Sequence, residues 1–128
     1  MSHNPYLHGA LSWCELMTTD AEAAKRFYTE LLGWTCEPMD MGEFVYHVMK
    51  TGDQMVGGIM TCPKEMQGMP PTWGTYITVD NVDARAAAVE KLGGKLLVPP
   101  TDIPEVGRFC ALQDPQGATL YLITYLPR

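Results

Sequence analysis

Residues 13–33 and 73–93 are two versions of one segment. Trp13, Thr18, Asp20, Ala24, Glu30, Leu32 and Gly33 recur sixty positions later as Trp73, Thr78, Asp80, Ala84, Glu90, Leu92 and Gly93. Seven of 21 positions are identical, where unrelated sequence gives about one or two. Such a repeat limits the fold sharply. Whatever local structure the first copy adopts the second adopts too, and a face that neither buries alone must be covered by joining them.

Each copy reads as strand, helix and three short strands. A strand ("ALSWCELM", "TWGTYITV") runs into an aspartate, Asp20 or Asp80, whose carboxylate suits the free N–H groups at a helix start. The helix ("AEAAKRFYTELL", "VDARAAAVEKL") stops at Gly33 or Gly93, the residue that best tolerates a left-handed C-cap. The strands that follow are expected near 34–39, 43–49 and 54–60, then near 95–98, 107–113 and 118–124. Tight turns ("KTGDQ", "DPQG") join the last two strands of each copy. The first module spans about 9–61, the connection "TCPKEMQGMPP" about 61–71, and the second module about 72–126, within a single domain 1–128. The stretch "VPPTDIPEVG" reads as a Pro-rich loop that leans over a cleft. The expected fold class is α+β: two tandem βαβββ modules forming a curved mixed sheet cup.

Composition narrows the function classes. The chain has 128 residues, 46% of them hydrophobic and 19% charged, ordinary values for a globular domain with its own core. The net charge of −6 and the lack of a basic run argue against nucleic acid as a partner. No apolar run is long enough to span a bilayer. The start "MSHNPYLHG" shows neither the charged region nor the apolar core of a signal peptide, so a cytoplasmic location is expected. Cys14, Cys36, Cys62 and Cys110 form no close pair and are expected as reduced thiols. GxSxG, P-loop, HExxH and dinucleotide glycine patterns are missing from the sequence.

The segments "WCELMTTDAEAAKRFYTELLGW", "PPTWGTYITVDNVDARAAAVEKLGG" and "GRFCALQDPQGATLYLI", in that order, resemble the vicinal oxygen chelate superfamily of glyoxalase and bleomycin-resistance proteins. The resemblance covers about residues 9–126. It implies the glyoxalase/bleomycin-resistance-like fold and, in metal-using members, a divalent cation held by His, Glu or Gln on the first and last strands of each copy. Those positions fall here on Trp13, Gly74, Gly57 or Gly58, and Tyr121. None is a usual ligand, so a cup with neither metal nor other cofactor is expected. The resemblance also implies a homodimer.

Glu15 lies two residues from Trp13, so strand alternation puts both on one face of their strand. A carboxylate beside an indole in a dry cleft suits an acid or base, a group fixing a ligand's orientation, or equally a carboxylate hydrogen-bonded structurally within the sheet. His47, mid-strand in "FVYHVMK" and with no visible partner in the sequence, reads first as a core or edge histidine and second as a candidate general base. His3 and His8 belong to an irregular tail. Trp13, Trp73, Tyr76 and Tyr121 are the candidate ligand-binding wall, because flat organic molecules favour aromatic surfaces with a few polar tips. Met39, Met41, Met55, Met60, Met66 and Met69 fit an adaptable rim or plain core filling. The expected function is binding of a small planar or aromatic molecule in a metal-free cup. A glyoxalase-like lyase, isomerase or dioxygenase-type enzyme using Glu15 or His47 is the alternative, and a protein-interaction module the second.

Overall fold

The computed structural model describes residues 4–42, 44–62 and 70–127. His3, Met66, Met69 and most of the expected connection lie outside the described residues. The elements run β1 (Leu11–Thr18), α1 (Ala21–Leu32), β2 (Thr35–Asp40), β3 (Val45–Thr51), β4 (Gln54–Thr61), β5 (Thr72–Thr78), α2 (Val82–Val89), a 3₁₀ turn (Glu90–Leu92), β6 (Lys95–Ile103), β7 (Gly107–Gln113) and β8 (Thr119–Tyr125). The chain forms two compact units, residues 14–74 and residues 1–13 with 75–128. No helix among the described residues is long and apolar enough to cross a membrane.

In the unit of residues 14–74 the strand order is β2-β3-β4-β1. β4 is parallel to β1 and antiparallel to β3. α1 begins because Asp20, in extended conformation, accepts the Ala23 N–H at 3.1 Å, and it ends at Gly33, φ 74°. Alternation along the strands sends Leu16, Met49 and Ile59 to the helix side, where they bury against Ala21 with Ala24, Tyr28 and Trp34.

The other unit repeats this plan with β5-β8-β7-β6. Cys110, Leu112 and Leu122 face α2 and pack on Val82, Ala86 and Val89. The N-terminal segment belongs here. The Gly9 N–H donates to the Thr78 carbonyl at 2.7 Å, and His8 Nδ1 accepts the Asp80 N–H at 2.9 Å, so His8 has a defined place at the start of α2 rather than in a loose tail.

The two copies differ in helix length, which corrects one assignment. The cap of α2 is Asn81, accepting the Ala84 N–H at 3.1 Å, not Asp80. The copies are therefore 61 residues apart at the helix start (Asp20, Asn81) and 60 apart at the C-cap glycines. α1 has 12 residues, whereas α2 has 8 followed by 3 in the 3₁₀ turn. At about 1.5 Å rise per α residue and about 2.0 Å per 3₁₀ residue, both come to about 18 Å. The tighter winding makes up for the missing residue. Asp80 instead forms a two-point pair with Arg85, at 3.2 and 3.1 Å.

A second shared device holds each helix to its last strand. The first helical N–H, of Ala21 or Val82, donates to a threonine hydroxyl on β4 or β8: Thr61 at 3.2 Å and Thr124 at 3.0 Å. The expected Pro-rich loop is a second correction. β6 runs unbroken in direction through Pro99 and Pro100 to Ile103, with register shifts against β7 on either side of Val98. β6 is the last strand in its unit's order, and an edge position tolerates prolines that a central strand would not.

Candidate functional site

β5, β7 and β8 turn one face to α2, and alternation turns a different set of side chains away from it. That set is Tyr76, Phe109, Ala111, Tyr121 and Ile123, with Trp13, Val98, Ile103 and Tyr125 packed against it. Tyr76 and Tyr121 are register partners on the parallel pair β5·β8. Their rings stack with centroids 4.8 Å apart and planes 18° apart. Phe109 leans on Tyr76 at 6.4 Å. At the margin the Tyr125 hydroxyl donates to Ser12 Oγ at 2.9 Å, and Ser12 in turn donates to the Tyr76 carbonyl at 3.4 Å. Tyr6 meets Tyr125 edge-on at 5.3 Å. Three of the sequence candidates, Trp13, Tyr76 and Tyr121, thus fall in one aromatic cluster. Phe109 and Tyr125 were missed. Stepping by two from Ala111 to Phe109 and from Tyr121 to Tyr125 would have found both.

Trp73 belongs elsewhere. It lies three residues before Tyr76 on β5, so the two side chains leave opposite faces of the strand. Trp73 is 36% exposed, donates its Nε1–H to the Tyr28 hydroxyl at 3.3 Å, and sits edge-on to Tyr28 and Trp34. Its match to Trp13 in the sixty-residue repeat does not carry over, because the structural offset in the strands before the helices is 61.

The unit of residues 14–74 places Glu15 on the sheet face away from α1, only 7% exposed. Glu15 is in register with Gly58 of β4, and Gly58 with Val48 of β3. A Cβ at Gly58 would collide with the hydroxyl and ring of Tyr46, while one at Gly57 would come within 2.6 Å of the Cys14 carbonyl oxygen. Both glycines are thus needed by their surroundings, and the Tyr46 hydroxyl reaches over β4 toward the strand that carries Glu15.

His47 takes the other face. Its register partner Ile59 packs beneath α1, and its Nδ1 lies 3.5 Å from Cys36 Sγ. Burial pushes the Cys36 thiol up, with Glu22 adding to the rise and Lys25 opposing it. Glu15 and His47 are both buried, but the sheet lies between them. They are not brought together as an acid–base pair.

The positions that would carry metal ligands do not fit a divalent cation. Gly58 has no side chain, and the volume of its missing Cβ is filled by Tyr46. Tyr121 offers only a phenol, on a ring stacked against Tyr76, in place of the carboxylate or imidazole that such a cation takes. Trp13 and Gly74 offer no side-chain oxygen, nitrogen lone pair or thiolate to a metal. Among the described residues no group of three or more His, Cys, Asp or Glu is placed to hold a metal ion.

The CFP32 protein of Mycobacterium tuberculosis is 41% identical to this chain over 121 residues, covering 94% of this chain and 46% of that protein. The anthracycline biosynthesis protein DnrV of Streptomyces peucetius is 31% identical over 123 residues, covering 86% of this chain and 45% of that protein. The chain spans about half the length of these curated relatives. Methylmalonyl-CoA epimerase from Mycobacterium tuberculosis has a similar fold, with a TM-score of 0.63, 16% identity, and coverage of 99% of this chain and 94% of the epimerase. The family described as Glyoxalase/Bleomycin resistance protein/Dioxygenase superfamily matches residues 10–122. With the two βαβββ copies and their strand orders in place, the chain belongs to the glyoxalase/bleomycin resistance protein/dioxygenase superfamily.

Proposed function

We propose that this domain binds a small planar or aromatic molecule against the face formed by Trp13, Tyr76, Phe109 and Tyr121. The observation that carries this reading is the Tyr76–Tyr121 stack, 4.8 Å apart and nearly parallel, at a place in the family fold where metal-using members put a ligand. Tyr76 and Tyr121 are themselves only 5% and 8% exposed and back the wall, so a flat ligand stacks on the partly exposed Trp13 and Phe109 beside them, worth about 0.5–1.5 kcal/mol per aromatic pair beyond area burial. A relative named for anthracycline biosynthesis supports a planar, fused-ring ligand class.

The test uses a Trp34→Phe/Trp73→Phe variant, which leaves Trp13 as the sole tryptophan of the three. Titration with anthraquinone-2-sulfonate and a panel of flat aromatics is expected to quench Trp13 emission saturably. Phe109→Ala is expected to weaken that quenching about tenfold, in line with the loss of one stacked pair. A panel that gives no saturable quenching rejects the reading.

A second reading, proton transfer at Glu15, draws support from its burial and from the Tyr46 hydroxyl held over Gly58. A buried carboxylate in register with the glycine that the phenol covers suits an acid or base. Here Glu15→Gln is expected to abolish any turnover found while leaving Trp13 quenching unchanged. Retained turnover in that variant removes Glu15 from the chemistry.

A further inference from the structure

The β2–β3 pair holds a thiol–imidazole contact on the α1 side of its sheet. Cys36 and Pro38 leave β2 on one face, and Pro38 is in register with His47 of β3. Cys36 and His47 are therefore diagonal neighbours, with Cys36 Sγ 3.5 Å from His47 Nδ1. Their exposures differ. His47 is only 3% exposed, whereas Cys36 is half-buried on the outermost strand of its unit. A small molecule arriving at that edge meets the sulfur first, with the base behind it. The sulfur is also the one hydrogen-bonding partner of the His47 ring among the described residues.

The surrounding charges decide how such a pair reacts. Lys25 and Glu22, joined at 2.8 Å on α1, act on the Cys36 sulfur with opposite sign, and burial outweighs the lysine. The sulfur is thus held as a thiol rather than a ready thiolate. Thiol–disulfide exchange, which draws on the standing thiolate, is poorly served. Addition across a polarised C=C bond is better served. The proton must leave sulfur as the S–C bond forms and reach the adduct afterwards, and one imidazole can do both.

We propose that Cys36 and His47 form a covalent capture site for small α,β-unsaturated carbonyl compounds. His47 Nδ1 takes the Sγ proton while the sulfur electron pair bonds to the β-carbon. The C=C π bond opens, and its electron pair passes toward the carbonyl oxygen as an enolate. The enolate then takes the proton from the imidazolium at its α-carbon. The product is a thioether, the net addition of S–H across C=C, and no further reactant is consumed. Glu22, within electrostatic reach of His47, favours the transient imidazolium, and Lys25 favours negative charge developing on sulfur.

The probe is cyclohex-2-en-1-one, with peptide mass spectrometry following the adduct at each cysteine of the full chain. Cys14 is the internal reference. It too is half-buried with its thiol pushed up by burial, and no imidazole touches it among the described residues. Cys36 is expected to react at least about tenfold faster than Cys14 near neutral pH, a modest share of what a positioned base supplies. His47→Gln is expected to remove most of that advantage. It is also expected to steepen the pH dependence at Cys36 to about tenfold per pH unit, the slope of a thiolate population, where wild type rises less steeply. Circular dichroism melts verify that the variant folds. Equal rates at Cys36 and Cys14 in the wild-type protein overturn the proposal without any variant. So does a folded His47→Gln protein in which Cys36 keeps its advantage.

Discussion

The Tyr46 hydroxyl stands where a side chain at Gly58 would begin, and Gly58 is the β4 residue in register with Glu15. A tyrosine on β3 thereby reaches across its neighbour toward β1, and it does so only because the intervening residue has no Cβ. Gly58→Ala is therefore expected to destabilise the protein by about 1–3 kcal/mol through overpacking. In a Tyr46→Ala background the same change is expected to cost less than half as much. Urea denaturation of the four proteins in that cycle checks it, and equal costs in both backgrounds contradict the crowding argument.

The assignment of the α2 cap is equally open to experiment. Asn81→Ala is expected to cost about 1 kcal/mol, because the Ala84 N–H loses its acceptor. Asp80→Ala removes exposed pairs with Arg85 and His8 and is expected to change stability little. The reverse ranking in thermal or urea melts would place the cap back at Asp80.

Arg108 donates to Asp83 on α2 through Nε and Nη2, and to Asp102 on β6 through Nη1. The hydrogen bonds from Arg108 hold the Asp83 carboxyl below the usual carboxylate range. A carboxylate with a lowered folded pKa contributes stability above its unfolded value and loses it as pH falls through the folded one. The contribution is thus intact at neutral pH and fades below about pH 4. Arg108→Gln is expected to flatten the loss of thermal stability between about pH 5 and pH 3 relative to wild type. Parallel curves for the two proteins would show that the pair contributes nothing.

Ile59 is fully enclosed beneath α1 among Leu16, Ala21 and Met49. Ile59→Ala is expected to cost about 2–5 kcal/mol, a large share of the roughly 5–15 kcal/mol that holds a domain this size together. Chemical denaturation measures it. A cost under about 1 kcal/mol would mean that the space collapses around the smaller side chain.

Much of this architecture is legible in the residues themselves. Trp13, Asp20 and Gly33 with their later counterparts mark the repeat, and the helix ends at Gly33 and Gly93 lie where the left-handed conformation is needed. The errors have local causes. Asp80 looks like the cap because the shortened second helix shifts the alignment by one residue, and a 3₁₀ finish leaves no mark in composition. Pro99 and Pro100 look like a loop because edge status depends on strand order, which lies outside the local sequence. Trp73 reads as part of the wall through its repeat match to Trp13, although its odd spacing from Tyr76 puts the two on opposite faces of β5. The local sequence around His47 does not say which face of its strand α1 covers, and its register with Ile59 decides that. Gly58 reads as a missing ligand in the sequence, while the structure shows it as the floor beneath Tyr46.

The threonines at the ends of β4 and β8 have a consequence for how the chain finds its fold. If β4 slipped by one residue against β1, every side chain on it would change faces, and Thr61 would also withdraw its hydroxyl from the Ala21 N–H. Thr124 and the Val82 N–H stand in the same relation in the other unit. Strand alignment and helix initiation are thus verified by one hydrogen bond in each copy. A misaligned strand is penalised twice, once in its packing and once at the start of a helix 40 or 42 residues earlier in the chain.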